Sequence, residues 1–492
     1  MTAGAEPWLA GRRVLVAGAG VTGRSVAAAL VASGAEVTVT DADAGRLAEL
    51  AGTGAALVPG LAEPQAGTDL VVTSPGWRPT SPLLVAAAAA GVEVIGEIEL
   101  AWRMAERLPE PPAWLVVTGT NGKTTTVCML ESILRAAGLD AVACGNVGLP
   151  VVDAIRAGHR VLAVELSSFQ LHWQSSLRAD AAAILNLAED HLDWHGSMDE
   201  YGRAKGRVHI GARTVVHNVD DEWSTRLAHE FAAPGSRKVG FGLGVPRPGE
   251  LGLVEDLLVD RAFVADPTTA AEELAVLADV RPAGPHNVSN ALAAAALARA
   301  YGVSADAVRE GLRTFQPGAH RTVPVGEVDG VHYVNDSKAT NPHAAAGSLR
   351  AFESVVWIAG GQLKGARVDE LVDEVRGRLR GVVLLGVDAD VFAASLARHA
   401  PDVPITRVTP GDDEPMIAAV RAAGAMARPG DVVLLAPAAA SLDMYRSYAH
   451  RGDAFAAAVT GLLAKPTGLA RPTGPEPEHP SGQGVGGATG GR

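Results

Sequence analysis

The chain has only two cysteines, Cys128 and Cys144, among 492 residues. No disulfide framework can be built from them, and a reducing, cytoplasmic setting is expected. Aromatic residues make up 4%, so the cores must rest on aliphatic packing and Ala-rich helices. No block of Lys or Arg occurs and the formal net charge is −13, which argues against a phosphate-neutralising surface for nucleic acid. No uninterrupted apolar run reaches the roughly 18 residues of a membrane span. Arg12 and Arg13 before the apolar run 14–19 faintly imitate a signal peptide, but Gly18, Gly20 and Gly23 break it early.

What is present is length and alternation. At about 150 residues per domain the chain suggests three domains, and an active site in a cleft between them. From Arg13 the order is strand (VLVAG), Gly-rich turn, Ala-rich helix (Ser25–Ser33), strand (VTVTD), then DLVVTSPG, the opening of a doubly wound parallel sheet. Pro and charge concentrate in ERLPEPPAW, 106–114, a linker. VLAVEL, AAAILNL and RTVVHN then alternate with helices, and a long Ala-rich helix near 287–301 closes a second parallel α/β unit. FQPGAHR, 315–321, reads as a second hinge, followed by four buried-type strands, VHYVNDS, SVVWIAGG, GVVLLGV and DVVLLAPA. The expected division is a Rossmann-like domain over 1–108, a phosphate-loop ATPase-type domain over 109–316, a Rossmann-like domain over 317–464, and a disordered tail over 465–492. The tail holds almost no large apolar residue and cannot repay its ordering entropy.

The most informative stretch is Thr118-Gly119-Thr120-Asn121-Gly122-Lys123-Thr124-Thr125. Between a buried strand and a helix, its backbone N–H groups can cradle phosphate, Lys123 can hold the outer phosphates and Thr124 can bind Mg²⁺. Val117 stands where the strict phosphate loop has its first Gly, so a plain Gly-rich turn is the competing reading. Glu165 ends VLAVEL at the sheet edge where ligands bind; it either bridges Mg²⁺ or merely caps the next helix. Asp190, His191 and Asp193 follow another strand, and hard carboxylates suit Mg²⁺ where an imidazole usually does not. Lys205, by spacing alone, is a charge-balancing lysine on an exposed helix.

In the first domain Gly18-Ala19-Gly20-Val21-Thr22-Gly23 opens a helix and Asp41 ends the next strand, matching a dinucleotide-binding fingerprint. A nicotinamide-dependent oxidoreductase is therefore the rival function.

TGTNGKT, ELSSFQL, NLAEDHLD, YGRAKGR, GPHNVSNALAA, GAHR and NDSKATN, in this order and with SPGW (Ser74–Trp77) and SLDMYRSYAHRG, cover the chain to about Leu463. Together they resemble the Mur ligases, and NDSKATNP at 335–342 points to the branch that adds D-glutamate to UDP-N-acetylmuramoyl-L-alanine rather than to another Mur-type amino acid ligase. The resemblance implies ATP-driven formation of an acyl phosphate, attack by the amine and expulsion of phosphate, with ATP and two Mg²⁺ ions bound. It implies catalytic roles for Lys123, His191 and Lys205, and metal ligation by Thr124, Glu165, His191 and a carbamylated Lys205. Gly119, Thr120, Asn121, Gly122, Lys123, Thr124, Thr125, Asn287, Asn290, Arg321 and Asp336 would contact ATP. Gly20, Val21, Thr22, Asp41, Ser74, Asn146 and Ser167 would contact the UDP-linked substrate, with the helix N-terminus facing its diphosphate. Lys338, Thr340, Lys364, Ser441, Leu442 and Tyr448 would contact D-glutamate. Read alone, Asn290 could be a polar residue in an Ala-rich helix and Lys364 a solvated lysine. Two departures stand out: Asp41-Ala42-Asp43, where some relatives carry Thr and Arg after the Asp, and Tyr448 where Phe is common. A cytoplasmic monomer is expected.

Overall fold

The computed structural model describes residues 8–408 and 414–463; the tail assigned to disorder lies outside them. Three sheets carry the fold. The first is wholly parallel, in the order Ala56–Leu57, Glu36–Thr40, Arg13–Ala17, Leu70–Thr73, Glu93–Gly96. The order reverses at Arg13–Ala17, and the helix Val21–Ala32 starts at that switch point, where doubly wound sheets bind ligands.

The second sheet has nine strands. Its parallel part runs Ala141–Gly145, Val161–Glu165, Ala113–Thr118, Ala181–Ile184, Thr214–Asn218, Arg237–Phe241. The expected parallel sheet is present and extends further: Glu250–Val254 continues it in parallel, and Leu257–Asp260 and Glu272–Val276 add to it antiparallel. Glu255, at φ 56°, makes the tight turn of that hairpin without a glycine. The helix Pro285–Ala300 packs its run of buried alanines against the sheet.

The third sheet has six strands. The four expected are Val331–Asn335, Val432–Leu435, Val355–Gly360 and Leu379–Leu385, edged by Val323–Val328, antiparallel, and Ile405–Arg407, parallel.

One hydrophobic cluster runs continuously from Leu9, Val14 and Leu30 of the first sheet region to Trp114, Leu162, Leu171 and Leu227 of the second. The clusters around Val355, Trp357 and Leu384 and around Val356, Val433 and Phe455 draw only on residues between 325 and 462, the third sheet and the helices against it. Among the described residues no helix is long and apolar enough to cross a membrane.

Candidate functional site: two cavities

The strand Ala113–Thr118 is buried almost throughout and delivers the chain to the loop that precedes the helix Lys123–Ala136. Gly122 adopts φ 84°, and a side chain there would collide with the Asn290 carboxamide, so only glycine fits. Asn186 holds the loop from outside: its Oδ1 accepts from Asn121 N at 2.9 Å, its Nδ2 donates to Asn121 O at 3.2 Å, and its carbonyl accepts from Thr120 N at 2.9 Å. The Thr120 hydroxyl meets that of Tyr201 at 3.1 Å. Asn186 and Tyr201 lie inside motifs legible in the sequence, yet nothing in their spacing marked them as loop supports.

Thr124 Oγ1 donates to Glu165 Oε2 at 2.6 Å, and Asn146 Nδ2 donates to Glu165 Oε1 at 2.9 Å. Glu165 is therefore not a helix cap; Ser167 caps the helix Ser168–His172, with Gln170 completing the box. Lys123 folds back, its Nζ donating to the carbonyls of Gly119 at 2.9 Å and Thr120 at 2.8 Å. Burial holds this ammonium below its usual range, opposed by Glu165 and Asp190.

Lys205 is not the exposed lysine its spacing suggests. It is 1% exposed, lies over the Tyr201 ring, and donates to Gly119 O at 2.7 Å. Burial, and then the charge of Lys123, push its pKa well below the usual value. His191 sits at φ 55° before the short helix Leu192–His195; burial lowers the pKa of its ring, against the pull of Asp190. Among the described residues no three His, Cys, Asp or Glu side chains converge as a metal-binding group.

The third domain supplies the opposite wall. Phosphate-loop residues 120–125, Asn146, Glu165, Asp190 and His191 share a cavity of about 340 Å³ with Asn287, Asn290, Arg321, Asp336, Lys338 and Thr340. Asp336 accepts from Thr322 N at 3.2 Å and from Ser348; burial raises it to about 6, against those bonds and Arg321. Lys338 stands 3.9 Å over the Tyr448 ring and is lowered to about 8 by burial, then by Arg321. Backbone bonds between Gln362 and Ala440, 2.8 and 2.9 Å, bring the Lys364 loop beside Ser441 and Leu442, although these three do not line the cavity. Nor do Gly119, Lys205, Ser167 and Tyr448; Gly119 opens the phosphate loop and its carbonyl accepts from Lys205. Asn341, inside NDSKATNP but given no role there, and His343, just beyond it, reach the Asn121 carboxamide from the third domain at 3.0 and 2.9 Å.

The second cavity, about 600 Å³, lies at the first sheet's switch point and collects Gly20, Val21, Thr22, Asp41 and Ser74. Asn146 and Ser167, expected to touch the same substrate, are not part of it. The Asp41 carboxylate accepts from Ala19 N at 2.8 Å and Asp43 N at 2.9 Å; burial would raise its pKa, and these bonds outweigh that and hold it low. Arg46 and Arg78 also line this cavity and were missed: neither stands at a fingerprint position.

Three family models match the chain in succession: the Mur ligase MurD-like N-terminal domain over residues 12–96, the Mur ligase middle domain over 117–298 and the Mur ligase glutamate ligase domain over 320–439. A UDP-N-acetylmuramoylalanine–D-glutamate ligase of Thermobifida fusca is 58% identical, over 92% of this chain and 99% of the relative. One of the same name from Streptomyces coelicolor is 55% identical with the same coverage. Among solved structures, the UDP-N-acetylmuramate-alanine ligase MurC of Thermotoga maritima superposes with a TM-score of 0.56 at 19% identity, covering 92% of this chain and 99% of that one.

Proposed function

Since the chain belongs to the Mur ligase family, we propose that it joins D-glutamate to UDP-N-acetylmuramoyl-L-alanine at the expense of ATP, in the cytoplasmic synthesis of peptidoglycan precursors. The observation that carries this reading is the shared cavity, in which a phosphate loop faces Arg321, Asp336 and Lys338 from another domain. Such a site brings a nucleotide and a second substrate together only when both domains contribute, and excludes water while a reactive acyl phosphate exists.

In this reading Lys123 turns from the loop carbonyls to the γ-phosphate, and the N–H groups of 120–125 and Arg321 stabilise the charge that builds as the substrate carboxylate takes up phosphate. The amine of D-glutamate then attacks the acyl carbon and inorganic phosphate leaves. Lys338, Thr340, Lys364, Ser441, Leu442 and Tyr448 hold D-glutamate, with cations and hydroxyls suited to two carboxylates. Gly20, Val21, Thr22, Asp41 and Ser74 hold the UDP-linked substrate. Asn287 and Asn290 serve ATP.

The donor set fits Mg²⁺ at one position, since the Thr124 hydroxyl and Glu165 carboxylate are hard oxygens already in contact. A second position rests on His191 and Lys205. Among the described residues the Lys205 amine is bonded to the Gly119 carbonyl and paired with no carboxylate, and as a buried, weakly basic amine it suits addition to CO2 with loss of a proton, which gives a carbamate, an anionic oxygen ligand. Mg²⁺ supplies neutralisation of phosphate charge.

Phosphate release by the purified protein tests the reading, with ATP, Mg²⁺ and UDP-N-acetylmuramoyl-L-alanine. D-glutamate is compared with L-glutamate, L-alanine, meso-diaminopimelate and L-lysine, and NADH oxidation is followed as a control. Release dependent on D-glutamate alone is expected; release with another amino acid reassigns the step, and NADH turnover without phosphate returns the oxidoreductase.

A further inference from the structure

The first-domain cavity has three charged residues in its lining, Asp41, Arg46 and Arg78. Asp41 is spent on backbone N–H groups, and Arg46 pairs with Asp43 at 3.3 Å three residues away. Arg78 reaches out of its own domain: Nη1 donates to Asp193 O at 3.2 Å and Nη2 to Asp193 Oδ2 at 2.8 Å. Asp193 belongs to the segment that follows Asp190 and His191, which line the other cavity. One arginine therefore touches the sugar-nucleotide cavity on one side and the catalytic segment of the central domain on the other.

We propose that Arg78 anchors the diphosphate of the incoming sugar nucleotide and that Asp193 holds it in reserve until that diphosphate arrives. The inference rests on reading the first-domain cavity as the UDP site. The two side chains are 54% and 60% exposed, and such a pair is weak. A diphosphate offers several charged oxygens in place of one carboxylate and suits a guanidinium fork. It would also sit at the N-terminus of the helix Val21–Ala32, which has no side-chain cap and no acidic residue in its first turn, so its N–H groups are open to an anion. Exchange of Asp193 for diphosphate is thus downhill, and it unties the segment carrying His191 when acceptor binds. Arg78 is a binding residue for the acceptor; Asp193 is a positioning residue acting through it.

UDP and uridine binding to the full-length protein by calorimetry at low ionic strength is the test. Wild type binds UDP. Arg78→Ala weakens UDP about tenfold or more and leaves uridine unchanged, with partial recovery in Arg78→Lys. Asp193→Asn tightens UDP by about two- to fivefold, and this gain vanishes in the Arg78→Ala background. A mere strut between domains predicts the opposite sign for Asp193→Asn, so weakening there overturns the proposal. Wild-type binding with no loss in Arg78→Ala overturns it while sparing the cavity assignment; absence of UDP binding by wild type overturns both.

Discussion

The central domain is joined to its two neighbours in different ways. Toward the first domain the hydrophobic core is continuous, and the helix Glu97–Ala105 is fastened at its start by buried carboxylates. Glu97 Oε1 accepts from Val152 N at 2.9 Å, Glu99 accepts from Ser175 N, Ser176 N and Ser176 Oγ at 2.7 to 2.9 Å, and Gly96 N donates to Trp173 O at 2.8 Å. Toward the third domain no apolar cluster is shared among the described residues. There the Asn121 carboxamide meets Asn341 and His343, and His286 lies against Gly347. A shared core resists separation because opening it exposes apolar surface; a junction of a few partly hydrated polar bonds costs little to open. The first junction fixes the acceptor cavity on the catalytic domain, and the second permits the third domain to admit ATP and D-glutamate and then close.

The largest test of this contrast is Glu99→Ala. It removes the acceptor shared by Ser175 N, Ser176 N and Ser176 Oγ and one of the two carboxylates that hold Arg103, which keeps Glu93, a loss of about 3–4 kcal/mol. Urea unfolding should show the first and central domains losing stability together while the third keeps its own transition. An unchanged midpoint for the first domain would mean that the shared core alone holds the junction.

Glu97 comes next. It is fully buried and its Oε2 has no partner; burial raises its pKa from 4.5 to about 7, against the bonds from Val152 and Val151. Between these values the folded chain keeps the proton that the unfolded chain has lost, so stability falls as pH rises from 4.5 through 7. Glu97→Gln, a mimic of the protonated acid, should be neutral near pH 4 and gain on the order of 3 kcal/mol at pH 8. An equal effect at both values would show that Glu97 does not titrate with folding.

The two junctions also differ in what the sequence revealed. The strands that lead into the motifs and the phosphate loop are contiguous in sequence, short apolar runs punctuated by glycine, and were legible, whereas the parallel strands Ala56–Leu57, Glu93–Gly96, Ala141–Gly145, Arg237–Phe241 and Ile405–Arg407, shorter or more polar, were not. The hairpin Glu250–Asp260 was not, because its turn at Glu255-Asp256 carries no glycine or asparagine to announce it. Asn186, Asn341 and His343 were missed as supports of Asn121 because their partner lies 65 to 222 residues away. The burial of Lys205 was illegible for a related reason: a charged residue in a polar helix defaults to the surface, and only the fold places Tyr201 and Gly119 around it.

His343→Ala probes the looser junction. Removing one hydrogen bond to Asn121 costs about 0.5–1.5 kcal/mol. It should leave thermal unfolding almost unchanged but raise the KM for ATP several-fold, because the closed arrangement is less populated. A large drop in melting temperature would place His343 in the fold rather than in the closure.

The smallest effect separates the junctions by the sign of their pH response. The Asn121 amide nitrogen donates to His343 Nδ1, which requires that nitrogen to be unprotonated. Burial and Arg350 lower the pKa of His343, and burial, then Arg350 and His343, lower His286 to about 4. Opening the cleft takes the part-exposed His286 and the exposed His343 away from Arg350 and the facing domain and returns both rings to about 6.5, so the open form binds more protons, and closure weakens as pH falls from about 6.5 toward 4. Acid therefore loosens the third domain while protonated Glu97 is at its most compatible with the first. Small-angle scattering from pH 8 to pH 5 should show the radius of gyration rising, and the His286→Gln, His343→Gln double variant should flatten that rise. A radius independent of pH in the wild-type chain would mean that the two histidines keep the same surroundings whether or not the cleft is open, and that the third domain is held by contacts other than these.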